Sequence, residues 1–445
     1  MLTRKRQRIS GAALLSLLLL SACAPGQQGS EPEEPAATAG SEAAGSESPG
    51  SEGAVAADLP DEVVIGATLP LTGEESRIGG FYKEGYELAF ELENEDGGLE
   101  VGDQTVPIRL ELLDDTTNQA TAVSLAERLI TQNGVNALLG TYSTSLVEAQ
   151  STAAEQNQIP YVNGGGAATS IYARGYQWVF GNLAPIELLA ETEMTWIEEQ
   201  QEAGNLPTPA KIAVVWENTS HGKDFQKGIT DFVEASEGDY EIVVDESFEL
   251  NGRDFSALLS EVRASGADLF MVDAHLPDYI TMQRQYTTAG MCHDVITYGA
   301  RGPEADAREA LGDEGVAYIL SAVWWNAQLG AEGINKEFVD AFTAKYDKEP
   351  EWYHAVSYEA ARALFTAIQE AGSVEPEAVR DALAALEMES LLPGGTLTFP
   401  EEAGFQAQYP FVVQQNTPEG ESPIIYPEDA ATGEGVAPNP NCAEG

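Results

Sequence analysis

From residue 63 onward, short apolar runs alternate with amphipathic stretches, and the whole alternation occurs twice. Val63–Ile65, Ile108–Leu113, Asn136–Gly140, Ile159–Val162 and Tyr176–Phe180 are bounded by turn residues and read as buried strands. Helices are predicted between them over 79–95, 118–132 and up to Glu155. Phe81, Leu88 and Leu92 mark the apolar side of the first, and Ala122, Leu125, Ala126, Leu129 and Ile130 recur at helical spacing in the second. Beyond Pro185 a further helix runs to about Glu202, and Gly204-Asn-Leu-Pro-Thr-Pro209 marks a turn. The second series has strands at Ile212–Trp216, Ile242–Phe248, Leu269–Asp273 and Val295–Tyr298, separated by helices near 222–235, 255–264 and 277–289. This pattern predicts an α/β protein with two doubly wound parallel-sheet lobes. Gly315–Val323 reads as one more strand, followed by helices over 335–346, 353–371 and 375–386. Thr396–Phe399 and Pro410–Val413 read as a terminal strand pair, and the Pro-, Gly- and acid-rich stretch 416–445 as a loose tail.

The N-terminus has a different pattern. Arg4, Lys5, Arg6 and Arg8 precede an apolar run from Gly11 to Leu20, the build of a secretory signal too short to span a membrane. It ends in Leu20-Ser-Ala-Cys23, which resembles a bacterial lipobox. The resemblance implies a signal peptide over 1–22, cleavage before Cys23 and a lipid on its sulfur. Residues 23–59 are mostly Gly, Ser, Glu, Pro and Ala, cannot bury a core, and read as a lipid-anchored disordered linker. The body is thereby expected on the outer side of the cytoplasmic membrane, attached through the lipid alone.

The chain carries 22 Lys and Arg against 73 Asp and Glu, a net charge of −51. That balance argues against nucleic-acid binding, which requires a basic footprint. The acids are scattered through every segment, so they suggest a solvated acidic surface rather than a cationic ligand. With Cys23 lipidated, Cys292 and Cys442 remain as a candidate disulfide of an exported protein; the sequence alone does not bring them together. Four histidines and three scattered cysteines offer little for a metal site, and no Gly-x-Ser-x-Gly elbow, His-Glu-x-x-His motif or phosphate loop is present. No catalytic residue, metal or cofactor is therefore assigned.

The candidate chemistry lies in two loops. Asn136–Gly140 runs into Thr141-Tyr-Ser-Thr-Ser145, and Ile159–Val162 empties into Asn163-Gly-Gly-Gly-Ala-Ala-Thr-Ser170. In an open α/β sheet, ligands sit outside the carboxyl ends of the strands, and helix N-termini there favour anions. Two adjacent strand ends delivering hydroxyls, glycines and free N–H groups suggest a cradle for a small carboxylate. Ordinary capped βα turns account equally well for either loop taken alone.

Val64-Ile-Gly-Ala-Thr-Leu-Pro-Leu-Thr-Gly73, Asp114-Asp-Thr-Thr-Asn-Gln-Ala120, Leu139-Gly-Thr-Tyr-Ser-Thr144, Ile159-Pro-Tyr-Val162 and Tyr353-His-Ala-Val-Ser-Tyr-Glu-Ala-Ala361 occur in the order and spacing of a known family. Over roughly residues 60–415 the chain resembles the leucine/isoleucine/valine-binding family of type I periplasmic binding proteins, the substrate-binding lipoproteins of ABC importers. The resemblance implies a monomeric two-lobe clamp with a three-strand hinge, closing on a small molecule and delivering it to ABC permease subunits. A branched-chain or other amino acid is the implied solute; an amide or urea-like compound or a small organic acid is the alternative, as is service as a ligand sensor for a separate receptor. Lobe 1 is expected over 60–181 and 325–391, and lobe 2 over 182–324 and 392–415, with crossovers near 180–183, 321–325 and 391–395.

The family's carboxylate cradle falls here on Ser143, Thr144 and Ser145 and on Gly165, Gly166, Ala167 and Thr169. Ile78 falls where the family lines its side-chain pocket. The second lobe departs from the pattern. His221-Gly222 stands where a tyrosine–glycine pair is frequent, and Arg301 lies where amino-acid binders carry an acid for the ligand ammonium. Arginine offers no acceptor. Either Asp273 replaces the missing acid, or Arg301 binds a second carboxylate, for which its planar fork suits it. Solvated loop positions are the plain alternative for His221 and Arg301. Core or hinge packing is the simpler role for Trp324-Trp325.

Overall fold

The computed structural model describes residues 59–95, 97–330 and 332–444. The expected signal peptide, Cys23 and all of the linker except Leu59 lie outside the described residues.

Two separate sheets carry the body. The first runs Ile108–Asp114, Val63–Leu69, Ala137–Leu139, Tyr161–Asn163, Val179–Gly181, with every neighbour parallel. The second has Tyr240–Phe248, Ala210–Glu217, Leu269–Asp273, Val295–Tyr298 and Ile319–Val323 in parallel, then Val412–Gln415 and Ile424–Tyr426 antiparallel at the edge. In both sheets the second strand in the chain lies outside the first, and the third to fifth follow on the other side. That order places the switch point, and any ligand, at the carboxyl ends beside the first and third strands.

The strands are apolar on both faces because helices cover both. Val63, Ile65, Ala67 and Leu69 are fully buried, as are Ile212 and Val214 in the second sheet. The helices Ser76–Glu95 and Trp352–Ala371 pack tightly on the first sheet. A β-carbon on Gly85 would stand 2.0 Å from Ser357 Oγ, so this crossing requires glycine. Trp352–Ala371 thus lies against the first sheet although it follows the strands of the second in the chain.

In the second lobe one acid is buried completely. Glu193, on the helix Ile186–Glu202, accepts from Thr297 Oγ1 at 2.9 Å and from Ala322 N–H at 3.0 Å. Burial drives its carboxyl well above the usual range. It ties two neighbouring strands of the sheet from below.

The C-terminal third corrects three expectations. Thr396–Thr398 does not pair with the stretch near 410 but forms a hairpin with Glu387–Glu389. The third crossover comes later than 391–395: Gly181 N–H donates to Phe405 at 3.0 Å and Ala407 N–H to Gly181 at 2.8 Å, before Val412–Gln415 joins the second sheet. The stretch 416–445 is not loose among its described residues, because Ile424–Tyr426 adds a strand and Cys442 is bonded to Cys292. Strand length was the obscuring factor: three-residue strands carry too little alternation to be told from loops.

The crossovers are tied to each other. Trp324 Nε1 donates to Ala184 at 2.9 Å, Tyr409 Oη to Asn182 at 2.8 Å, and Gln406 Nε2 to Leu183 at 3.1 Å. These bonds tie the three crossovers together at the base of the two lobes.

Candidate functional site

The first lobe's two loops are held from behind. Asp115, fully buried, accepts from Thr141 Oγ1 at 2.6 Å, Thr68 Oγ1 at 2.9 Å and Thr117 N–H at 3.1 Å. Tyr86 Oη donates to the Gly140 carbonyl at 2.7 Å, and Tyr82 Oη to that of Gly164. A β-carbon on Gly165 would stand 2.0 Å from the Thr141 carbonyl oxygen, so glycine lets the two loops touch. So fixed, Ser143 stands at the N-cap position of the helix Thr144–Asn157 without a capping bond from its side chain, and the first N–H groups of that helix have no intrahelical acceptor. The Thr144 hydroxyl has no partner among the described residues, and Ser143 Oγ lies 3.4 Å from Ser145 Oγ.

The second lobe contributes the ends of four parallel strands. After Glu217 comes His221, whose Nδ1 is 2.7 Å from Asp273 Oδ2. After Asp273 comes His275, whose Nδ1 is held by Glu217. After Tyr298 comes Arg301, and after Val323 comes Trp324. Burial alone would lower the His275 pKa, but Glu217 and Glu75 raise it to about 9. Burial opposes ionisation of Glu217 as well, yet His275 brings its pKa down to about 2. The two therefore form a buried ion pair at neutral pH, with Thr219 Oγ1 donating to the other Glu217 oxygen at 2.7 Å.

Arg301 is 3 % exposed. Its Nη2 donates to Tyr142 Oη at 3.0 Å, and its Cζ lies 5.6 Å from the Trp352 ring centre. Glu304 sits 3.6 Å from Arg301 Nε, but the Tyr353 hydroxyl from the first lobe donates to the same Glu304 oxygen at 2.6 Å. Burial raises the Glu304 pKa to about 6.

These elements enclose one cavity between the lobes. Ser143, Thr144, Gly165, Ala167, His221 and Arg301, all expected from the sequence, line it. Tyr142, Leu183, His275, Trp324 and Trp352 complete the wall. The lobes meet so closely here that the cavity has about 10 Å³, on the scale of one water molecule. A cavity of this size holds no small organic solute unless the lobes move apart. A broader groove of about 1100 Å³, lined by exposed charges such as Arg77 and Lys348, meets the cavity at Trp352. The strand-end chemistry lies in the small cavity rather than in that groove.

Five expected site residues fall elsewhere. Ser145 is half-buried, with its hydroxyl 3.4 Å from Ser143 Oγ, and is not on the cavity wall. Ile78 is buried in the first lobe's core and is not on the cavity wall. Gly166 faces Ile171 and Val147. Thr169 gives its N–H to Asp224 at 2.7 Å and its hydroxyl to Glu187 at 2.8 Å, spanning the lobes outside the cavity. Asp273 stands behind His221 as its partner. Glu217, His221 and Asp273 bring ligating atoms within 4.8 Å of one another; their hydrogen bonds to one another and to His275 and Thr219 make them supports for the imidazoles rather than a metal centre. His275 and Tyr142 were missed, although each adjoins a strand end already singled out. Trp324 is on the wall as well as in the hinge, whereas Trp325 bonds Asn335 Oδ1 at 2.6 Å and packs on Phe338.

Two lobes with a shared strand order, a tied hinge and a polar cavity at the facing strand ends define a solute-binding clamp. A family model described as Periplasmic binding protein matches residues 62–421, and the chain belongs to that family. The Leu/Ile/Val-binding protein homolog 8 of Brucella abortus (strain 2308) is 28 % identical over 383 residues, covering 83 % of this chain and 92 % of its own. The solved structure of LivJ from Streptococcus pneumoniae in complex with isoleucine superposes with a TM-score of 0.71 at 20 % identity, over 85 % of this chain and 100 % of that one. The solute binding protein of an ABC transporter from Rhodopseudomonas palustris BisB5, in complex with 3,4-dihydroxy benzoic acid, gives 0.67 at 18 % identity, over 80 % and 93 %. These proteins bind solutes and are not enzymes. No helix among the described residues is long and apolar enough to cross a membrane.

Proposed function

We propose that this protein captures a small organic acid between its two lobes and delivers it to an ABC importer, working as a monomer anchored outside the cytoplasmic membrane by a lipid on Cys23. The observation that carries the reading is the pairing of an open helix start at Ser143–Thr144 with a buried guanidinium at Arg301 on one cavity wall. Helix N-termini and arginines both favour carboxylates. Tyr142, Leu183, Trp324 and Trp352 would cover the ligand's apolar body.

The names of the relatives favour a branched-chain amino acid instead. Among the described residues the cavity wall includes no Asp or Glu, and Asp273, Glu217 and Glu304 behind it are already engaged by His221, His275 and Tyr353. An ammonium group would therefore lack its counter-charge. The benzoic acid in the Rhodopseudomonas complex is a solute of the kind this wall favours.

A thermal-shift panel of amino acids, amides and organic acids tests the choice. A ligand at a hundredfold excess over its Kd stabilises by about 2.7 kcal/mol, so the strongest shift is expected from an organic acid. A strongest shift from leucine, isoleucine or valine would restore the amino-acid reading. Detergent-phase partitioning of wild type that persists in Cys23→Ser would contradict the lipid anchor.

A further inference from the structure

The cavity contains more donors than one carboxylate explains. Arg301 Nε and Nη1 and Trp352 Nε1 are buried and have no acceptor among the described residues. They come from opposite lobes, Arg301 from the end of Val295–Tyr298 and Trp352 from the start of Trp352–Ala371. Both side chains line the cavity and are 3 % and 5 % exposed. Glu304 does not satisfy the guanidinium, since its near oxygen lies 3.6 Å from Nε and accepts from Tyr353. A buried donor without an acceptor is costly, and a charged one more so.

We propose that Arg301 and Trp352 form a second anion subsite, so that the solute is a small diacid whose first carboxylate rests on the Ser143–Thr144 helix start. This rests on the preceding reading of the cleft as an acid-binding site. A planar guanidinium engages two oxygens at once, and the indole N–H supplies a third donor from the facing lobe. The second carboxylate bridges the lobes, binding and closing the clamp together. His275, with Nδ1 held by Glu217 and Nε2 4.0 Å from Glu75, stands on the same wall as a further hydrogen-bonding group. An amino acid that placed its ammonium in this subsite would meet the Arg301 guanidinium and be disfavoured by like charge.

Calorimetric titration of the full chain tests this with matched pairs: succinate against butyrate, glutarate against valerate, and phthalate against benzoate. The readout is the ratio of diacid to monoacid affinity. Wild type is expected to favour at least one diacid by tenfold or more. Arg301→Gln should bring that ratio close to one, and Trp352→Phe, which removes the indole N–H and keeps an aromatic ring, should lower it several-fold. Circular dichroism establishes that each variant is folded; should Arg301→Gln fail to fold, Trp352→Phe decides. Equal affinity for the members of every pair in wild type, or a ratio unchanged in the decisive variant, overturns the diacid subsite while monoacid binding leaves the acid-binding reading intact. Binding of neither class overturns both.

Discussion

Tyr142 Oη lies 3.0 Å from Arg301 Nη2, so one hydrogen bond crosses the cleft from the first lobe's cradle to the second lobe's guanidinium. Tyr142 adjoins Ser143 at the helix cap, and Arg301 follows a strand of the other sheet. The contact couples the position of the cradle to the closure of the clamp. Tyr353 to Glu304 and Ser220 to Glu148 cross the same cleft at 2.6 and 3.3 Å.

Tyr142→Phe should therefore shift the clamp toward an open form. A hydrogen bond to a charged group contributes roughly 1.5–3 kcal/mol, enough to change the populations of two states that differ by a few kcal/mol. Small-angle scattering should give a larger radius of gyration than wild type, and calorimetry a weaker affinity for the solute. A variant matching wild type in both would show that this bond does not govern closure.

The buried His275–Glu217 pair sets a pH window. Glu217 is depressed to about 2, so its contribution to stability is present above the unfolded carboxylate range near 4.5 and is lost as pH falls toward 2. His275 is raised to about 9, so its contribution is complete below about 6.5 and is lost as pH rises toward 9. Stability from the pair should thus be greatest between about pH 4.5 and 6.5. Melting temperatures from pH 4 to 9 should fall on the alkaline side in wild type, with a smaller fall in Glu217→Gln. Parallel profiles for the two would remove the pair as the cause.

Much of this arrangement is legible in the sequence, for physical reasons. The long strands Val63–Leu69, Ala210–Glu217 and Leu269–Asp273 announce themselves as apolar runs because both their faces are covered. Ser143, Thr144, His221 and Arg301 line the cavity, as their positions just after strand ends suggest. Thr169 misled because a hydroxyl after a glycine run looks the same whether it faces a cavity or, as here, donates to Glu187. The Arg301–Trp352 proximity was hidden by their separation of 51 in sequence; only the fold brings Trp352 across from the other lobe. The tail misled because a Pro- and Gly-rich composition says nothing of one disulfide and one edge strand.

That disulfide should matter to stability. Cys292 and Cys442 are 150 residues apart in sequence, and the bond holds the end of the chain to the second lobe. Closing so long a loop restricts the unfolded chain, and Cys442→Ser should cost roughly 2–5 kcal/mol. Urea unfolding of wild type and variant, with wild type repeated under reducing conditions, checks it. Wild type that unfolds at the same midpoint with and without reductant would mean the bond contributes nothing.

The claim on which the rest depends is that the Ser143–Thr144 helix start holds the solute's carboxylate. Thr144 offers a hydroxyl with no partner among the described residues, and Thr144→Val removes it while preserving the side chain's shape. The decisive measurement is calorimetric affinity of wild type and Thr144→Val for the acid that stabilises the protein most. Loss of a hydrogen bond to a charged oxygen, roughly 1.5–3 kcal/mol, corresponds to about 10- to 150-fold weaker binding. That loss should be shared by monoacids and diacids alike, because both use this cradle. Undiminished affinity in a folded Thr144→Val would place the carboxylate elsewhere and contradict the account.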